Sequence, residues 1–111
     1  MISLKIHNEY AQLKTVVLGI AKDFGGTPKM EDCYDPKSRE HVKNGNFPIE
    51  ESLVNELNQF LKVFKKYSVN VLRPDNIKNL NQVFSRDIAF VIDNKIIIPN
   101  IINERKEEID G

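Results

Sequence analysis

The densest group of side chains able to do chemistry in this 111-residue chain is Asn81-Gln82-Val83-Phe84-Ser85-Arg86-Asp87, which runs directly into an apolar stretch. Arg86 and Asp87 stand at the entrance to a strand read as buried, where a charge is costly to desolvate, so each needs a partner or a ligand. Asp87 is therefore a candidate for holding a cation. A planar guanidinium fits a carboxylate well, because two parallel N–H donors can meet two oxygens. The plain alternative is a structural Arg86–Asp87 pair.

Other reactive types are poorly placed for chemistry. Cys33, the single cysteine, lies in Glu31-Asp32-Cys33-Tyr34-Asp35, where neighbouring carboxylates repel the thiolate that a nucleophile requires. His7 and His41 show no metal-ligand spacing, and Cys33 with His41 supplies too few ligands for a zinc site, so no metal is expected. Gly25-Gly26-Thr27 lacks the Gly-Lys-Ser/Thr ending of a phosphate cradle and reads as a turn, and no cofactor is expected. Lys62, Lys65 and Lys66 read as the solvated end of a helix.

Composition bounds the partners. Hydrophobic residues make up 41% and charged residues 29% of the chain, which is globular usage. Sixteen basic and sixteen acidic residues cancel, leaving no positive field to gather phosphates, so nucleic acid is not an expected partner. No apolar run is long enough to span a bilayer, and the first residues lack a cleavage pattern, so the expectation is a cytoplasmic protein without a membrane partner. One cysteine permits no internal disulfide, which agrees with a reducing compartment.

The elements that must position Asp87 follow from periodicity. Leu13 to Ile20 is β-branched and almost continuously apolar, predicting a strand buried on both faces. Residues 22–46 are polar and turn-rich, predicting one long polar loop. Leu53, Leu57, Phe60, Leu61 and Phe64 recur at helical spacing, with Pro48 near the first turn, Glu50 and Glu51 at the start and lysines at the end. Val69, Val71 and Leu72 predict a short strand ended by Arg73-Pro74. Ile88 to Ile92 and Lys95 to Ile98 flank Asp93-Asn94, predicting a tight hairpin. From Asn103, a cap residue, a helix is expected to begin, with only about two turns before Gly111. Because so short a helix is marginal in water, residues 1–111 are expected to be a single partial domain, the alternative being a frayed polar ending.

Three segments carry a family resemblance. Asn8-Glu9 with Leu13 to Gly19, then Phe84-Ser85-Arg86-Asp87, then Phe90 to Pro99 with Glu104-Arg105-Lys106-Glu107-Glu108, resemble in order and spacing the start of the amidinotransferase family, which includes guanidino-modifying enzymes of the arginine deiminase type. The resemblance implies an α/β fold, the amino-terminal portion of a pentein-type β/α propeller: one repeat plus the start of the next, with a mixed sheet and one main helix. It implies that Asp87 binds the guanidino group of arginine or a related compound. Arg105 would contact substrate or order the pocket, and Arg86 would be structural. The family's nucleophilic cysteine and catalytic histidine have no counterpart here. The resemblance thus implies a substrate-binding segment that is inactive alone. The alternative is a non-catalytic α/β module or half of a split enzyme, and on either reading an opened propeller segment exposes strand edges and is expected to form a homo-oligomer.

Overall fold

A computed structural model describes residues 2–111. These described residues form a small α/β fold with two helices of the α type and two separate two-stranded sheets. The first sheet pairs β1 (Thr15–Val17) with β2 (Asn70–Leu72) in parallel, Val16 opposite Val71. The crossover that parallel strands require carries α1 (Pro36–Lys43) and α2 (Glu50–Lys66). The second sheet is the antiparallel hairpin β3 (Phe90–Ile92) and β4 (Lys95–Ile97), with Val91 opposite Ile96. A 3-10 helix, Asn103–Asp110, closes the described chain.

Helix α2 arises where its periodicity predicts. Leu53, Val54, Leu57, Leu61 and Phe64 form its half-buried stripe, and the helix packs against β2. Its end is a Schellman turn. Ser68 takes a left-handed φ of 57°, its N–H donates to the Lys65 carbonyl (3.0 Å), and the Val69 N–H reaches back to the Phe64 carbonyl (3.0 Å). Val69 is thereby buried, and the next residue starts β2.

Four expectations need correction. The run from Leu13 to Ile20 gives only three strand residues, and Val17 is 53% exposed rather than buried, because too little packs over the face on which it stands. Beyond Val17 the chain leaves β2: Leu18 N–H still bonds the Leu72 carbonyl (2.9 Å), but Ile20 N–H bonds that of Gln82 (3.1 Å). Gly19 lies at this crossing, where a Cβ would overlap the backbone carbonyls of Gln82 and Val83. The expected single mixed sheet is accordingly two small sheets, joined by isolated bridges at Ile20–Gln82 and Ile6–Asp93.

Residues 22–46, read as one loop, contain a 3-10 turn at Met30–Asp32 and the helix α1. Asp35 caps α1, its Oδ1 accepting the Ser38 N–H at 2.8 Å, and Pro36 occupies the first helical position. The carboxyl-terminal helix is also of 3-10 type, and Asn103 is its first residue rather than its side-chain cap.

The core is thin. Leu18, Ala21, Phe24, Cys33 and Val69 are its buried apolar members, and among the described residues no large side chain is completely enclosed. The radius of gyration is 15.5 Å, against roughly 13 Å for a compact domain of this length. The accessible surface of 8750 Å² likewise exceeds the roughly 6,300 Å² of a free-standing protein of this mass. Among the described residues no helix is long and apolar enough to cross a membrane.

The Asp35 cap makes stability depend on pH. Hydrogen bonds from Ser38 hold the Asp35 carboxyl below its ordinary value of 3.8. A lowered native pKa contributes stability that is present above the unfolded value and lost as pH falls through the native one. Asp35→Ala is expected to cost about 1 kcal/mol at neutral pH. Urea melts at a series of pH values should show the variant and the parent converging as the pH drops below 3.8.

Candidate functional site

The turn Phe84-Ser85-Arg86-Asp87 is a single 3-10 turn, Ser85–Asp87, closed by the Asp87 N–H donating to the Phe84 carbonyl at 3.1 Å. Ser85 Oγ donates to the Val17 carbonyl (3.1 Å), fastening the turn to the end of β1. That placement sets the Asp87 carboxylate beside the start of the hairpin, 43% exposed.

Arg105 comes to this turn from the carboxyl-terminal 3-10 helix. Its Nη1 donates to Asp87 Oδ2 at 3.0 Å, and its Nη2 donates to the Phe84 carbonyl at 3.2 Å. The opposite edge of the same guanidinium meets Glu108: Nε donates to Oε2 at 2.5 Å and Nη2 to Oε1 at 3.1 Å. Arg105 and Glu108 are three residues apart, a spacing that sets side chains on one helical face. The two-pronged bond to Glu108 raises the Arg105 pKa far above the ordinary guanidinium value; desolvation opposes the rise and Asp87 adds to it.

Both residues assigned to substrate binding by resemblance, Asp87 and Arg105, are thus brought together, through each other. Arg86 does not take the buried position expected of it. Its side chain is 87% exposed and approaches Asp87 Oδ1 only at 3.5 Å, a contact weak at such exposure. The expected desolvation of an Arg86–Asp87 pair fails because β3, with Phe90 and Ile92 about half exposed, does not bury the strand entrance.

Glu108 is the site residue that the reading of motifs passed over. It is only 3% exposed, the most deeply buried acidic side chain described. The signal available was Arg105-x-x-Glu108, hidden within a run of five charged residues that reads as a solvated face. The Tyr34 hydroxyl pKa is raised, first by desolvation, with the Arg105 charge lowering it and the Glu108 charge raising it.

The remaining reactive types lie elsewhere. Cys33 is buried, its thiol donating to the Lys29 carbonyl at 3.4 Å. His7 Nδ1 bonds Asp93 Oδ1 at 2.7 Å, and His41 Nδ1 bonds Asn46 Oδ1 at 2.9 Å. Among the described residues no group of three His, Cys, Asp or Glu side chains converges as a metal would need. Compared with protein-family models, curated proteins and solved structures, the chain shows no match.

The arrangement predicts strong dependence on Arg105. Arg105→Ala leaves the Glu108 carboxylate buried without its partner and should cost roughly 3–5 kcal/mol. Arg105→Lys should recover only part, since an ammonium cannot reproduce two parallel bonds. The double change Arg105→Met with Glu108→Leu should be milder than Arg105→Ala, because it removes the buried charge as well. Urea denaturation of the three variants checks the order; a single alanine variant as stable as the parent would refute it.

Proposed function

We propose that this chain is the first β/α repeat, with the start of the next, of a pentein-type enzyme of the amidinotransferase kind, and that Asp87 binds the guanidino group of arginine or a related substrate. The observation that carries the reading is the contact between Asp87 and Arg105: the carboxylate already receives a guanidinium from within the chain, at 3.0 Å. Oδ2 is taken by Arg105, whereas Oδ1 meets only the distant, exposed Arg86, so one edge of the carboxylate stays accessible to a second guanidinium. Further support comes from the βαβ order of β1, α2 and β2, which is the local layout of a β/α repeat, and from the segments that resemble the family.

On this reading the chain binds without turning over. The resemblance gives it no counterpart of the family's catalytic histidine and nucleophilic cysteine, and Cys33 is enclosed in the core. The surplus of accessible surface over that of a free-standing domain also favours assembly, as a homo-oligomer or with the other part of a split enzyme.

Calorimetric titration tests the proposal. L-arginine should bind the chain, citrulline should bind roughly tenfold or more weakly because its neutral ureido group cannot pair with Asp87, and Asp87→Asn should abolish the distinction. Equal heats for arginine and citrulline, or negligible heats for both, would refute substrate binding at Asp87. Sedimentation velocity over a rising concentration series should show self-association.

A further inference from the structure

Between the β1–β2 pair and the hairpin lies a cleft of about 320 Å³, walled by Val17, Leu72, Ile88, Phe90, Val91 and Ile96. Pockets that hold small molecules begin at about this size, so an occupant has to be small. Two charged side chains border the cleft, Glu108 and Arg73. Both Glu108 oxygens are engaged by Arg105, so its charge is balanced.

Arg73 is not balanced. Among the described residues no carboxylate lies within ion-pair distance of it, and its one side-chain hydrogen bond runs from Nη2 to the Gly19 carbonyl at 2.9 Å. Its Nε is shut away from solvent with no partner at all. A guanidinium stays protonated at any physiological pH, and Arg73 is only partly buried, so the part of its charge that the chain does not meet is left to solvent or to a ligand. The neighbouring polar groups are spoken for. Ser85 Oγ is bonded to Val17, and the Gln82 amide bridges the Asp75 carbonyl and the Ile77 N–H. Gly111, at the cleft's rim, has its backbone oxygen taken by the Asp75 N–H at 3.0 Å.

We infer that this cleft binds a small organic monocarboxylate with an aliphatic or aromatic body, the carboxylate meeting the terminal nitrogens of Arg73 and the body lying against Val17, Leu72 and the hairpin. Charge complementarity favours the anion, because of the two charged side chains that border the cleft Glu108 is neutralised by Arg105, whereas Arg73 meets only the Gly19 carbonyl. The apolar walls select the body. Asp87 does not line this cleft, so the site stands independently of guanidino binding there.

The probe is isocaproate, titrated into the full chain while the amide resonances of Val17 and Ala89 are followed. Saturable shifts are expected. Isocaproamide, which has the same shape without the charge, should bind roughly tenfold or more weakly, and Arg73→Gln should weaken isocaproate by a similar factor. Equal binding of the acid and the amide to the parent chain overturns the inference, as does the absence of any shift. Should Arg73→Gln fail to fold, the comparison of acid with amide on the parent chain decides alone.

Discussion

The Arg105 guanidinium ties the turn before the hairpin to the carboxyl-terminal 3-10 helix, two stretches remote in sequence. It bonds the Phe84 carbonyl and Asp87 on the turn before the hairpin, and Glu108 on its own helix. The turn in turn is fastened to β1 through Ser85 and the Val17 carbonyl. Because Glu108 is almost fully buried, the pair cannot be loosened gradually: parting the ions would leave a desolvated carboxylate, whose penalty is several kcal/mol. The carboxyl-terminal 3-10 helix, weak by its own propensity, is therefore fixed by a tertiary contact.

A polar clamp has such weight here because the apolar core is small. The five buried hydrophobic residues among those described, with β1 and the hairpin each paired along one edge, do not enclose the sheets. Hydrogen bonds between isolated residues then carry connections that a packed layer would otherwise make. Ile20 with Gln82 joins the end of β1 to the approach to the site, and Ile6 with Asp93 joins the amino-terminal segment to the hairpin turn, aided by His7. The exposed faces of Phe90, Ile92 and Ile96 are the cost of this layout.

What was legible in the sequence was whatever rests on local rules. The stripe of α2 and its charge placement, the strand after it, and the hairpin around Asp93 follow from periodicity and turn chemistry, and Asp93 takes the left-handed φ of 52° that such a turn asks for. Helix α1 was also encoded locally, by Asp35-Pro36 with Ser38, but eight residues with few apolar positions give no period to notice. Burial was illegible for a different reason. An apolar run such as Leu13 to Ile20 reports what a strand could bury, whereas the number of neighbours it acquires is set by the whole topology. The same limit concealed Glu108 and overstated Arg86: each sits in a charged run, and only the approach of a distant element decides which charge loses its water.

Arg105 and Arg73 show how far that decision can differ between two side chains of one type. Arg105 meets two carboxylates and a carbonyl, and its charge is held more firmly in the fold than in water. Arg73, at the end of β2, meets one carbonyl, and its Nε is buried without a partner. Both are local consequences of where the strands stop. The departure of the chain from β2 at Gly19 turns a carbonyl, not a carboxylate, towards Arg73, while the 3-10 turn at Phe84 aims its carbonyl and Asp87 together at Arg105. For Asp87 the outcome sets a threshold: any incoming guanidinium has to use the Oδ1 edge or displace Arg105. Displacing Arg105 would disturb its contacts with Glu108 as well, so the Oδ1 edge is the less costly approach. A ligand taking that approach exchanges only the exposed Arg86 contact, the weakest interaction in the cluster.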